Sequence, residues 1–151
     1  SSNGYTHLMF KGSDKKGRNW AQRHMLEGMN SMSMDELRLL AGSWLNPAEL
    51  DDLRGGESSG YDQSQRAYVL NTMGADVFFT LMGAEDHPIE NPCFVIKNWD
   101  RDKLANLKIN GKIIPSGRDL RQGIVTDTDG TETLVVYTRL SATSPTEFHL
   151  Y

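Results

Sequence analysis

Residues 107–114 read Leu-Lys-Ile-Asn-Gly-Lys-Ile-Ile, two short strand-like runs joined by Asn110-Gly111. Asn-Gly between such runs is the strongest short-range hairpin signal, because both turn residues must take positive φ. A lone hairpin is marginal in water, so this segment folds only as part of a larger sheet. The segment therefore requires further strands, and the chain supplies them.

Tyr68 and Leu70 alternate with Val69 and Asn71, and Val77, Phe79 and Leu81 alternate with Phe78, Thr80 and Met82. Phe94-Val95-Ile96 reads as an internal strand running toward Trp99; Leu134–Tyr137 follows the tight turn Asp127-Thr128-Asp129-Gly130, and Phe148–Tyr151 is the last strand. Tyr5–Phe10 has the pattern of a further strand, and Trp20–Met32 that of a short strand or irregular helix. Leu53–Tyr61, with Arg54-Gly55-Gly56-Glu57-Ser58-Ser59-Gly60, reads as a flexible surface loop. Short strands at roughly ten-residue intervals, without βαβ alternation, predict a mainly β, antiparallel, jelly-roll-like β-sandwich. A chain of 151 residues makes this one domain, residues 1–151.

One segment breaks the period of two. Ser33 with Glu36 three residues on is a capping box. Leu37, Leu40, Ala41 and Trp44 then fall on one face of a helix over residues 34–44, with Leu37, Leu40 and Trp44 facing the core. Gly42 and Asn46-Pro47 end it.

Several classes of chemistry lack their signatures. No G-x-S-x-G elbow occurs, and Gly55-Gly56 lacks the Lys-Ser/Thr of a phosphate loop. His7, His24, His87 and His149 have no zinc-like spacing, and Cys93, the one cysteine, reads as a buried thiol. Asp127-Thr128-Asp129-Gly130 resembles the opening of a calcium loop, but the hairpin turn explains the same residues, so no cofactor is expected, a structural calcium being the weaker alternative. A net charge of −4 speaks against nonspecific binding of nucleic acid or membrane. The charge is uneven: Lys97–Arg121 holds seven basic and three acidic residues, +4 in total, leaving −8 elsewhere.

The aromatic residues offer a binding surface instead. Trp99, in Lys97-Asn98-Trp99-Asp100-Arg101, and Trp20, in Arg18-Asn19-Trp20, are large rings in polar settings. Tyr61, at the edge of the glycine-rich stretch, is a weaker case of the same pattern. A ring of this kind can stack on a sugar, and Arg101, Arg118 and Arg121 can bind carboxylate or sulfate oxygens in fork geometry. Trp99, Arg101, Arg118, Arg121, Trp20 and Tyr61 are thus the candidate ligand-binding residues. No catalytic residue is assigned.

Two stretches carry a resemblance. One is Ala41-Gly42-Ser43-Trp44-Leu45-Asn46-Pro47 followed by Gly60-Tyr61-Asp62-Gln63-Ser64-Gln65-Arg66-Ala67-Tyr68. The other is Asn91-Pro92-Cys93-Phe94-Val95-Ile96-Lys97-Asn98-Trp99, with Ile109-Asn110-Gly111-Lys112 and Leu134-Val135-Val136 behind it. Over residues 5–150 the chain resembles C-terminal β-sandwich accessory domains of exported bacterial polysaccharide-degrading enzymes. The resemblance implies a secreted, periplasmic or cell-surface setting and a parent glycoside hydrolase or polysaccharide lyase. The chain starts at Ser1 without an apolar signal core, and a fragment of a larger protein is expected.

The expected function is a noncatalytic polysaccharide-binding module, for an acidic or sulfated glycan, that concentrates substrate for a tethered catalytic domain. The alternatives are a structural domain packed on a catalytic neighbour with no ligand of its own, and a small lyase or hydrolase.

Overall fold

In a computed structural model, which describes residues 32–74, 76–101 and 103–151, the alternating runs become strands of two stacked five-stranded sheets. The strands are β1 (Glu49–Arg54), β2 (Gly56–Asp62), β3 (Ala67–Thr72), β4 (Val77–Met82), β5 (Ile89–Glu90) and β6 (Cys93–Lys97). They continue as β7 (Leu107–Ile109), β8 (Lys112–Ile114), β9 (Leu120–Thr126), β10 (Glu132–Thr138), β11 (Ser141–Ala142) and β12 (Pro145–Leu150). The first sheet has the order β1-β4-β12-β7-β8, the second β2-β3-β6-β10-β9, and β5 pairs with β11. This is the mainly β sandwich that the period of two requires. Every pairing is antiparallel except β3 with β6, which run parallel across the connection carrying β4 and β5. The expected strand over Tyr5–Phe10 and the element over Trp20–Met32 lie outside the described residues, apart from Met32.

The core lies between the sheets. Val77, Phe79 and Leu81 of β4 and Phe148 and Leu150 of β12 face Leu70, Phe94, Ile96, Leu134 and Val136 of the second sheet. Phe79, Phe94 and Phe148 meet with centroids 5.1–5.2 Å apart, in the range of favourable ring pairs. The second sheet is apolar on both faces. Ala67, Val69, Cys93, Val95, Val125, Val135 and Tyr137 form a second buried cluster, with Trp44 against it. The character of β10 follows from this: Thr133–Thr138 are all buried, so the strand does not alternate between apolar and polar residues.

The helix, α1 (Met34–Leu45), begins as its capping residues dictate. The Ser33 Oγ accepts from the Glu36 N–H at 3.2 Å and donates to the Glu36 carboxylate at 3.1 Å. At the other end the Asn46 N–H donates to the Gly42 carbonyl. Its buried face is narrower than the spacing predicts. Leu40 and Ser43 are buried and Leu37 and Trp44 half-buried, but Ala41 is exposed. The helix meets the sandwich chiefly at the short strand β5, with Trp44 packed against the second buried cluster. Among the described residues no helix is long and apolar enough to cross a membrane.

Leu53–Tyr61 corrects the expectation of a flexible loop: it is the end of β1, a corner, and most of β2. Its glycines serve close approach. A Cβ on Gly55 would stand 1.9 Å from the Asp76 carbonyl oxygen, and one on Gly56 2.4 Å from that of Asn71. They let the chain leave one sheet and enter the other against the backbone that joins β3 to β4.

The β7–β8 hairpin turns at Asn110-Gly111 as expected, with φ of 50° and 78°. A Cβ on Gly111 would meet nothing within 4 Å, so a substitution there costs conformational energy alone. Gly111→Val is expected to destabilise the domain by about 1–2 kcal/mol in denaturant melts, since a β-branched residue must adopt the left-handed region. An unchanged midpoint would show that the turn is not required for the sheet.

Candidate functional site

The outer face of the first sheet is assembled by register. Arg54 of β1 stands opposite Phe78 of β4, Phe78 opposite His149 of β12, His149 opposite Lys108 of β7, and Lys108 opposite Ile113 of β8. These five residues form one row across all five strands. Their side chains share the solvent face because the core takes their neighbours Val77, Phe79, Phe148, Leu150, Leu107 and Ile109. A second row, two residues along the strands, holds Asp51, Thr80 and Glu147.

The first row is a stack. The Arg54 guanidinium carbon sits 4.8 Å from the Phe78 ring centroid. Phe78 and the His149 imidazole lie 3.9 Å apart and 18° from parallel. His149 is followed at 4.6 Å by Tyr151, and the Lys108 ammonium nitrogen lies 5.4 Å from the Tyr151 ring. His149 Nε2 is 3.2 Å from the Asp76 carboxylate, which orients the imidazole. Phe78, His149 and Tyr151 are half-buried. Phe78 and His149 floor a groove of about 740 Å³ bordered by Asp52, Arg54, Lys108 and Glu147, with Tyr151 beside His149. Aromatic floor, charged rim and partial exposure are the features of a polar-ligand site. Asp52 enters it from an irregularity in β1 between Asp51 and Arg54, with φ of 50°.

The residues expected from sequence lie elsewhere. Trp99 is 1 % exposed, which overturns its role as a stacking platform. Its indole N–H donates to the Lys103 carbonyl at 2.8 Å, and the Arg101 guanidinium lies 4.2 Å from its ring. Tyr61 is half-buried against the core, edge-on to Tyr68 at 4.9 Å, and burial pushes its phenol up. Arg118 is exposed between β8 and β9. Arg121 pairs in register with Tyr137, on the far face of the second sheet from the core that holds Trp99. Trp20 lies outside the described residues. The basic segment is therefore no single patch: its members stand on both outer faces of the sandwich.

Other polar features have structural work. The Asp127 and Asp129 carboxylates accept from the Thr131 and Thr133 hydroxyls, and the Gly130 N–H closes the turn on the Asp127 carbonyl. No group of three or more potential metal ligands occurs among the described residues. Cys93 is buried, and its thiol is pushed up to about 12 by that burial. A thiol held so far from its thiolate is a poor nucleophile.

Glu90 is buried beside α1, and its Oε2 has no hydrogen-bond partner. Burial raises its pKa, the Glu36 carboxylate adds to the shift, and a hydrogen bond from Ser141 opposes it. A raised folded-state pKa means that no penalty exists below the unfolded carboxyl value. Stability is then lost as pH rises through the folded value. Glu90→Gln is therefore expected to raise the melting temperature at pH 7–8 and to leave it unchanged near pH 4 (about the ordinary carboxyl pKa). Equal effects at both pH values would show that Glu90 carries no ionisation penalty.

Phe78 and His149 have a sequence signal, since each occupies the outward position of an alternating run. What joins them is a register between residues far apart in the chain. No protein-family model matches the chain, and comparison with curated proteins and with solved structures gives no match.

Proposed function

We propose that this domain is a noncatalytic polysaccharide-binding module that lays a glycan chain on the outer face of its first sheet. The observation that carries the reading is the half-exposed pair Phe78–His149 on the floor of a charged-rim groove, extended by Tyr151 beside His149. Sugar rings present C–H faces that pack on such rings, while Asp52, Thr80 and Glu147 are placed to bond hydroxyls. A rigid sheet holds these groups at fixed spacing without a conformational change. In this reading the domain belongs to an exported protein, at the cell surface, in the periplasm or secreted. Its tethered catalytic part would be a glycoside hydrolase or polysaccharide lyase, served through raised local substrate concentration.

The test is affinity electrophoresis against a panel of neutral and anionic polysaccharides. Retardation by at least one is expected, together with its loss in Phe78→Ala at an unchanged circular-dichroism spectrum. Retardation by none would overturn the reading. A second reading, a structural domain docked on a catalytic neighbour, draws on Met34 and Leu45, which are 75 % and 77 % exposed at the two ends of α1. Loss of binding to the parent's catalytic part in Leu45→Ser, with no glycan retained, would favour it.

A further inference from the structure

Apart from Asp52 and Asp76, the charges on this face are sorted by row, and the sorting selects a class of ligand. Arg54 and Lys108 stand in the aromatic row, while Asp51 and Glu147 stand in the neighbouring row, about 7 Å further along the strands. Arg54 and Lys108 are separated by three strand spacings, about 14 Å at their Cα atoms. Neither forms an ion pair with a described carboxylate, although Asp52 and Glu147 border the same groove. Each cation instead lies over a ring at one end of the stack, Arg54 over Phe78 and Lys108 over Tyr151.

Resting on the glycan reading above, we infer that the ligand is an anionic polysaccharide that crosses the strands along the Arg54–Lys108 row. Its carboxylate or sulfate groups meet the two cations, and its sugar rings cover Phe78 and His149. The geometry supports this in three ways. The cations retain donors to spare, because contact with a ring face leaves their N–H groups unconsumed. They flank the aromatic floor, so a chain seated on it passes both. The acidic row lies to one side and repels a polyanion shifted or turned away from the cationic row, which fixes its path. Asp76 faces the row as well, but it is engaged with His149.

The experiment uses dextran sulfate and polygalacturonate as sulfated and carboxylated probes, with uncharged dextran and galactan as neutral ones. The wild-type domain is expected to be retarded by at least one anionic probe, and more salt should weaken retardation, as screening over about 8–10 Å removes the cationic contribution. Arg54→Gln with Lys108→Gln should weaken that retardation about tenfold or more, the loss of roughly 1.4 kcal/mol. Lys97→Gln with Arg118→Gln, away from the row, should change it little, which separates the row from general positive charge. Phe78→Ala should abolish it. Retardation by a neutral probe but no anionic one overturns the inference and leaves the glycan reading standing. Anionic retardation unaffected by the Arg54/Lys108 pair overturns the proposed path. Retardation by no probe in this or the wider panel overturns both.

Discussion

Trp99→Ala is expected to destabilise the domain by about 3–5 kcal/mol, the range of large aromatic deletions in cores. Trp99 is the largest wholly buried side chain among the described residues, and its ring belongs to the cluster between the sheets. Its backbone N–H donates to the Glu132 carbonyl and its indole N–H to the Lys103 carbonyl, so the residue ties the β6–β7 connection to β10. Asn98 and Asp100 on either side take φ of 58° and 41°, and the chain turns about the ring rather than carrying it outward. Guanidinium melts of wild type and variant measure the loss. Trp99→Phe should recover most of the packing and lose only the indole hydrogen bond, about 1 kcal/mol. A variant Trp99→Ala with an unshifted midpoint would remove Trp99 from the core.

Gly55→Ala is expected to cost about 3 kcal/mol or more, unusually high for the addition of one methyl group. Two effects combine. Gly55 has φ of 85°, where any Cβ costs about 1–2 kcal/mol. The new atom would also stand 1.9 Å from the Asp76 carbonyl oxygen, so the β1–β2 corner must separate from the chain entering β4. Gly74→Ala supplies the control: its φ is 83°, but its Cβ would meet nothing within 4 Å. The difference between the two melts isolates the steric part. Because the Asp76 carboxylate bonds His149, the Gly55 variant should also weaken the groove's ligand binding where it still folds. Equal costs at Gly55 and Gly74 would mean that the corner yields freely.

Much of the architecture is legible in the sequence because its causes are local. A period of two, an Asn-Gly turn and a capping box each act within a few residues, and the structure carries all three. Leu53–Tyr61 misleads because glycine, serine and charge describe a flexible loop equally well as a corner pressed against backbone. Only the neighbouring carbonyls of Asp76 and Asn71 distinguish the two. Trp99 misleads for a related reason. Charged flanking residues mark exposed backbone, but the left-handed turns at Asn98 and Asp100 send the ring inward while its neighbours stay out.

By itself the sequence determined the class of fold, the hairpin at Asn110-Gly111 and the start of the helix at Ser33, since each depends on side-chain alternation or on local φ and hydrogen-bonding demands. Tertiary structure alone decided which aromatic ring is buried and which is presented. Trp99 and Phe78 are both apolar rings within or beside strands, and although alternation sets Phe78 apart from Val77, Phe79 and Leu81, it does not say which face is covered. The stacking of two sheets decides that: it covers one face of β4 and leaves Phe78 on the other. The row from Arg54 through His149 to Lys108 likewise exists only through register. Strands distant in the chain lie about 4.8 Å apart once paired, and that spacing is a property of the sheet rather than of any segment within it.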